Sequence, residues 1–345
     1  MDLIYLLSGE ELYTQALIFK QKQDYDNYII YITMAANHGY PDAIDNIYKC
    51  DTYLKQNYAN TIKFYEETAH NNEIPNSYSV HFLAYMYANG LGIDKDYLKA
   101  IELYKISIDK GCNYSLNNLA YIYQRGLGCE TDYNKAIDLY QIATEKGIKE
   151  AIMGLANMYH KGLGCDVDYN KAIKLYEAII EKGNTVALNN LGYLYTHRSD
   201  GDRDYNKAKY YYKKAIEMGN TSALNNLGYL YRKKKKYIKS KQLFMLAIEK
   251  NSIDSLINLA YLYEQGQGVK QNYIYASELH ERVIESGDIS MLHHLISIYT
   301  KHLPLDYNKI LKLYKIGINN SDTESITNIS QLIKFEPFET EKSVT

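Results

Sequence analysis

The chain has no tryptophan, only 6 phenylalanines, 4 prolines and 4 cysteines among its 345 residues, and each scarcity narrows what it can be. The cysteines, Cys50, Cys112, Cys129 and Cys165, are spread out with no CxxC pair. They neither staple a small secreted fold nor supply a structural zinc site. Reduced thiols and a cytoplasmic location are therefore expected. Charge of one sign is missing too: 39 Lys and Arg against 41 Asp and Glu leave a formal charge of -2. That balance removes the broad basic field on which general nucleic-acid binding depends. No apolar run approaches the roughly 20 residues of a membrane helix. The opening MDLIYLLSGEEL has an acid before a short apolar run and two glutamates after it, a poor secretory signal. Neither secretion nor a membrane partner is expected.

What is abundant is tyrosine, with 39 residues, in a chain that is 46% apolar and so fit to fold. The tyrosines are not scattered. DYLKA at Asp96 is followed by DYNKA at Asp132, Asp168 and Asp204, then by KYIKS, NYIYA and DYNKI variants. The motif tyrosines are Tyr97, Tyr133, Tyr169, Tyr205, Tyr237, Tyr273 and Tyr307, with weaker members at Tyr25 and Tyr58. From Tyr25 onward the intervals are 33, 39, 36, 36, 36, 32, 36 and 34 residues, the signature of a repeat architecture. A second motif precedes each of the seven stronger anchors: LAYMY from Leu83, LAYIY from Leu119, LANMY from Leu155, LGYLY from Leu191 and Leu227, LAYLY from Leu259 and LISIY from Leu295.

In the unit around residues 113–147, Leu116, Leu119, Ala120 and Tyr123 recur at helical spacing, as do Tyr133, Ala136, Ile137, Tyr140 and Ala143. Each unit is thus two amphipathic helices. Gly126 and Gly128 suit the turn between them, and Asp132 is placed to cap the second helix. Gly147, with Gly111, Gly183, Gly219 and Gly287 in register, marks that helix's end, where Asn251 substitutes once. The small residue after the motif leucine (Ala84, Ala120, Ala156, Gly192, Gly228, Ala260) lets helix backbones approach. One such pair cannot bury enough apolar area alone, so the pairs must stack. The expected fold is all-α: a right-handed superhelical α-solenoid of about eight or nine helix-turn-helix repeats with a concave face.

The string L-[AG]-x-x-Y-x-x-G-x-G…D-Y-x-K-A…Y-x-x-A…G resembles the Sel1-like repeat, a relative of the tetratricopeptide repeat. The Tyr-, Asn-, Ile- and Lys-rich composition is similar to that of Sel1-like proteins of giant DNA viruses. The resemblance implies an adaptor that gathers partner proteins and brings no catalytic residues or cofactor. The chain departs from the pattern in four places. Asp45 and Ile296 fill small-residue sites, the loop after Tyr195 keeps only Gly201, and Arg232 to Lys236 replace the GxG loop after Tyr231. Disulfide staples known in part of the family are absent, since Cys129 and Cys165 occupy equivalent positions of successive units. Residues 1–23 are expected to form a leading cap with a helix from Glu10 to Gln21, and residues 24–320 the solenoid. A terminal capping helix follows at 321–336, with Ile326, Ile329, Leu332 and Ile333 on one face, and then a tail at 337–345.

In related folds the first helix of each pair lines the groove. Opposite Leu119, Ala120 and Tyr123, that helix presents Asn117, Asn118, Tyr121 and Arg125. The same rows recur as Asn189, Asn190 and Tyr193; Asn225, Asn226 and Tyr229; and Asn258 and Tyr261. Carboxamides donate to and accept from a peptide backbone at once, and tyrosines give contact area at low entropic cost, so these rows suit a bound segment. Asparagine in this slot is also typical of the repeat, tying helices together. Arg232, Lys233, Lys234, Lys235, Lys236, Lys239 and Lys241 form a basic run that reads either as a solvated loop or as a local nucleic-acid or nuclear-import contact. Its neighbouring tyrosines sit at core spacing and offer no free stacking platform.

Further chemistry has no evident carrier. His280, His293, His294 and His302 lack HExxH spacing and a cysteine partner, so no metal site is expected. GLGC at Gly126 and Gly162 joins helix to helix without the lysine of a phosphate loop. Carboxylates spread over solvent faces offer no acid-base pair. The sequence therefore reads as a non-enzymatic scaffold that binds one or more proteins in its groove, with no cofactor and no small-molecule substrate.

Overall fold

A computed structural model describes residues 7–47, 58–69, 76–181 and 183–328. Among these residues every regular element is helical: eighteen α-helices, a further helical stretch at 323–328, and one 3-10 turn, Ile289–Met291. The chain divides into two compact units, Met1–Gly183 and Asn184–Thr345. The first holds α1 (Gly9–Gln21), α2 (Tyr25–Asn37), α3 (Pro41–Ile47), α4 (Tyr58–Ala69), α5 (Ser77–Asn89), α6 (Tyr97–Asp109), α7 (Tyr114–Arg125), α8 (Tyr133–Glu145), α9 (Lys149–Lys161) and α10 (Tyr169–Ile180). The second holds α11 (Thr185–His197), α12 (Tyr205–Glu217), α13 (Ser222–Lys233), α14 (Tyr237–Glu249), α15 (Ile253–Glu264), α16 (Tyr273–Glu285), α17 (Leu292–Lys301) and α18 (Tyr307–Asn319). Within each unit helices pack on their sequence neighbours as a solenoid of antiparallel hairpins. All nine motif tyrosines, Tyr25 and Tyr58 included, begin a helix.

The motif residues explain why. The aspartate before the tyrosine accepts a hydrogen bond from the backbone N–H of the third helical residue: Asp96 from Lys99, Asp132 from Lys135, Asp168 from Lys171, Asp306 from Lys309. The aspartate's own N–H donates to the carbonyl of the second motif tyrosine, as in Asp132 to Tyr123 at 3.0 Å and Asp168 to Tyr159 at 2.9 Å. The motif lysine lies over the ring of that same tyrosine, Lys171 at 4.9 Å from Tyr159 and Lys207 at 5.2 Å from Tyr195. The hairpins of Asp96, Asp132, Asp168 and Asp204 are thus each closed by a cap, a backbone hook and a cation over a ring. The hook does not depend on loop length: where four residues are missing, Lys236 N–H still donates to Tyr231 at 2.8 Å, and Lys235 takes a positive φ of 56° in place of glycine. Hairpin ends behave similarly, Gly147 with φ 82° and Asn251 with φ 62° at the equivalent position.

The core is built on tyrosine. Tyr104, Tyr176, Tyr212 and Phe244, eight positions into successive second helices, are fully buried, and Tyr140 nearly so. Here the structure differs from the expected close backbone contact at the small residue. The aromatic ring fills that space instead, so a Cβ added to Gly192 would sit 2.6 Å from the Tyr212 ring, and one at Gly228 2.6 Å from Phe244. The Tyr140 ring also reaches the next hairpin, where a Cβ on Gly154 would stand 2.4 Å away. One side chain thus joins a hairpin internally and to its neighbour.

At the ends, Ser8 and Glu11 form a reciprocal capping box at the start of α1, which pairs with α2 as a hairpin. Residues 323–328 are helical. Of the apolar face expected there, Ile326 is about half exposed and Ser325 is buried against Gly317, while Ile329, Leu332 and Ile333 lie outside the described residues, as does the Asp45 side chain. Cys112, Cys129 and Cys165 are free thiols.

Asp132→Ala is expected to lower stability by about 1 kcal/mol, the usual value of a helix cap. Lys236, which stands where other hairpins have the capping aspartate and makes no side-chain cap bond, offers the converse. Lys236→Asp is expected to raise the denaturation midpoint, and unchanged midpoints for both variants would show that the caps carry no weight.

Candidate functional site

The asparagine and tyrosine rows project from the first helices, and the structure gives them different work. In the second unit Asn226 Nδ2 donates to Asn189 Oδ1 at 2.9 Å, and Asn258 Nδ2 donates to Asn225 Oδ1 at 3.0 Å, where Ser255 Oγ also donates at 3.0 Å. In the first unit Asn117 Nδ2 donates to Asn118 Oδ1 at 3.2 Å, and Asn118 Nδ2 to the Tyr104 hydroxyl at 3.3 Å. These asparagines, with Asn190, are half-buried. In the second unit the amides tie the first helix of one hairpin to that of the next, and in the first unit Asn118 ties α7 to the second helix of the preceding hairpin. The tyrosines reach solvent: Tyr121 is 48% exposed, Tyr193 44% and Tyr261 42%.

In the second unit the tyrosines join a continuous stack. Tyr193 and His197 lie face to face at 4.1 Å, and His197 stacks on Tyr229 at 5.6 Å. The Arg232 guanidinium sits 5.1 Å from the Tyr229 ring and 4.5 Å from that of Tyr261. Arg232 is thus drawn onto two of the tyrosines expected on the groove face. The run itself splays. Lys233 turns to Tyr229 and Lys234 to Tyr205, Lys239 to Tyr231 and Lys241 to Tyr263, and Lys233 to Lys236 and Lys239 are all exposed. Burial, followed by the charges of Lys233 and Arg203, pushes the His197 imidazole below its ordinary value against a hydrogen bond with the Tyr193 carbonyl, so the stack carries its positive charge on Arg232 and Lys233. In the first unit Arg125 lies 5.9 Å from the Tyr121 ring, beside a cleft of 190 Å³ bounded by Tyr85, Tyr104, Asn118 and Tyr121. That volume is below the roughly 300–1,000 Å³ of small-molecule pockets and suits a single side chain.

This geometry is repeated hairpin by hairpin, and so is the sequence that makes it. The Sel1 repeat matches residues 77–112, 113–148, 149–184, 185–220, 221–252 and 253–288. The chain belongs to the Sel1 repeat family. Among solved structures it is similar to a Sel1 repeat protein from Oxalobacter formigenes, with 24% identity and a TM-score of 0.53 over 65% of this chain and 94% of that one. It is also similar to yeast Tom70, with 16% identity and a TM-score of 0.59 over 90% and 64% of the two chains. A monomeric IFIT1 mutant with Gppp-AAAA gives 11% identity and a TM-score of 0.54 over 95% and 90%. At these identities the likeness is one of fold. No curated protein sequence matches the chain.

One group of Sel1 residues escapes sequence reasoning. Glu264, which the sequence reading left among solvent-facing carboxylates, is 5% exposed, and its carboxylate faces His280 Nε2 at 2.7 Å and His294 Nε2 at 3.0 Å. The other histidines diverge: His293 pairs with Asp322 at 2.9 Å, and His302 stacks on Tyr273 at 4.1 Å. The signal lay in the register. His280 stands where successive second helices carry Tyr140, Tyr176, Tyr212 and Phe244, and His294 where first helices carry Asn118, Asn190, Asn226 and Asn258.

Another histidine in an asparagine slot, His81, is buried with Nδ1 2.7 Å from Ser115 Oγ, and burial pushes its imidazole down to about 3. Between the ordinary value near 6.5 and about 3 the unfolded chain binds a proton that the folded one refuses, so stability falls as pH falls through that window. His81→Asn, which installs the residue of the equivalent position in other repeats, is expected to flatten this part of a pH–denaturation profile. Profiles that coincide would remove His81 as the cause.

Proposed function

We propose that the chain is a non-catalytic scaffold whose first-helix face holds a segment, extended or helical, of a partner protein. Sel1 repeat proteins are generally scaffolds of this kind. The observation that carries the reading is the stack of Tyr193, His197, Tyr229, Arg232 and Tyr261, which presents aromatic faces and a cation along consecutive first helices. Tyrosine and arginine supply much of the binding energy at protein interfaces, because their large rigid groups lose little entropy on burial. The asparagine ties beneath hold the row in register, so its ordering cost is met before a partner arrives. A segment with apolar side chains for the ring faces and acidic ones for Arg232 and Lys233 matches this chemistry.

The alternative reading, a nucleic-acid or nuclear-import contact through Arg232–Lys241, is less well supported by the splayed cations, most of which lie over different rings instead of lining one groove. A single-strand binder needs a groove of positive charge with free ring faces. Likeness to giant-virus proteins rests on composition alone. Among the described residues no helix is long and apolar enough to cross a membrane.

Affinity purification with mass spectrometry, followed by titration of the recovered partner, tests the scaffold. The double variant Tyr193→Ser with Tyr229→Ser is expected to weaken binding at least tenfold, about 1.4 kcal/mol, with an unchanged circular dichroism spectrum. Lys235→Ser with Lys236→Ser is expected to leave affinity intact. Equal affinity of the tyrosine variant and the parent would overturn the reading. Selective loss in the lysine variant, with steep salt dependence, would favour the nucleic-acid alternative.

A further inference from the structure

The contact that Glu264 makes with His280 and His294 falls where other hairpins place a second-helix ring and its neutral partners. In the repeat, the aromatic residue of the second helix lies against its own first helix and against the first helix of the next hairpin. Tyr140 donates its hydroxyl to Gln124 Oε1 at 3.0 Å and rests on Gly154, Tyr212 pairs with Thr196 Oγ1 at 3.4 Å, and Tyr104 accepts from Asn118. All of these partners are neutral. Glu264 occupies the slot of Gln124 and Thr196, His280 that of the ring, and His294 that of Asn118. Three separate helices, α15, α16 and α17, thus each replace a neutral group by a metal-ligating one at a single point.

As packing, the exchange is a poor one. A carboxylate that is 5% exposed and an imidazole that is 2% exposed cost more to bury than a phenol and an amide. His280 Nδ1 is also buried with no hydrogen-bond partner, whereas the Tyr140 and Tyr212 hydroxyls at the equivalent position are satisfied. A local rule broken without a packing gain marks a functional site.

We infer that Glu264, His280 and His294 bind one divalent transition-metal ion of the zinc class, clamping α15, α16 and α17 together and leaving a coordination position beside His294 for solvent or a partner's ligand. The ligand atoms of the three residues lie within 4.8 Å of one another. Their carboxylate-to-nitrogen separations are 2.7, 3.0 and 3.2 Å. Bonds of about 2.0–2.1 Å in a tetrahedron put neighbouring ligands roughly 3.3 Å apart, so each carboxylate-to-nitrogen edge needs to open by only a fraction of an ångström. Two imidazoles with one carboxylate select zinc, copper or nickel over calcium and magnesium, which demand oxygen. The His294 side chain is 48% exposed and gives the ion its way in, while Glu264 and His280 close the other side. The clamp is independent of the tyrosine stack and would stand if that surface bound nothing.

The test uses the tag-free full chain, freed of metal with a chelator and titrated with Zn2+ by calorimetry and thermal denaturation. Saturation at one ion per chain with a raised melting temperature is expected, with Mg2+ failing to compete. His294→Asn restores the residue found at this position in other repeats and keeps the fold. It and Glu264→Gln are each expected to weaken binding at least tenfold, and His294→Asn to abolish the visible absorption that Co2+ acquires in the parent. His293→Asn and His302→Asn are expected to bind as the parent does. Absence of saturable one-to-one binding, binding unaltered by His294→Asn and Glu264→Gln, or equal loss with His293→Asn would each overturn the assignment.

Discussion

One buried ring per hairpin, pressed onto a glycine or alanine of the first helix, is the interaction on which the architecture depends. It makes hairpin closure and hairpin stacking a single event. Tyr140 shows this directly, with its hydroxyl on Gln124 of its own hairpin and its ring on Gly154 of the next. A wedge that touches both cannot be satisfied by an isolated helix pair, which is why the apolar pattern repeats rather than closing into a single core. In such chains stability is approximately a sum of unit and nearest-neighbour terms, and tyrosine suits the wedge because a ring that fills a large space also carries a hydroxyl able to reach a polar partner.

The wedge leaves the surface free to vary. With the second-helix ring in the seam and the hook from the capping residue to the motif tyrosine holding the loop, neither the loop length nor the outward residues of the first helix are needed for folding. The 32-residue repeat demonstrates the first freedom. Its loop has lost both glycines and the capping aspartate, yet the hook from Lys236 to Tyr231 survives. The second freedom lets Tyr193 and Tyr261 remain nearly half exposed, with Tyr229 partly exposed between them. Arg232 is then held by two ring faces, those of Tyr229 and Tyr261.

Helix starts were the most legible feature of the sequence, because an aspartate cap, a motif tyrosine and a periodic apolar face all point to the same residue; even the weak anchors Tyr25 and Tyr58 open helices. Turn positions at Gly147 and Asn251 were legible for the same reason. The surface was harder to read. A helical wheel placed Asn189 and Tyr193 on one face correctly, but it could not say that one amide would be spent on Asn226 while the ring stayed exposed, since that depends on the neighbouring helix. Nor could spacing alone pair Glu264 with His280 and His294, which lie 16 and 30 residues away along the chain. Only superposing the repeats reveals that the three fall on one recurring contact.

That superposition carries a general argument about where function resides in a repetitive chain. A residue that agrees with its counterparts in other hairpins is explained by the seam, the cap or the hook, and its presence says nothing more. A residue that departs must be set against what the departure costs. Lys235 in the glycine slot costs a strained φ of 56° and is offset by a shorter loop. Ile296 in the small-residue slot adds apolar burial in the C-terminal hairpin, where it packs with Leu295 and Tyr299. Glu264, His280 and His294 have no such offset in packing: a carboxylate and two imidazoles replace neutral groups at one recurring contact, and two of the three are buried. Stacking forces would favour returning all three to the repeat's own residues, so the interaction that retains them must lie outside the packing, in something the carboxylate and two imidazoles hold jointly.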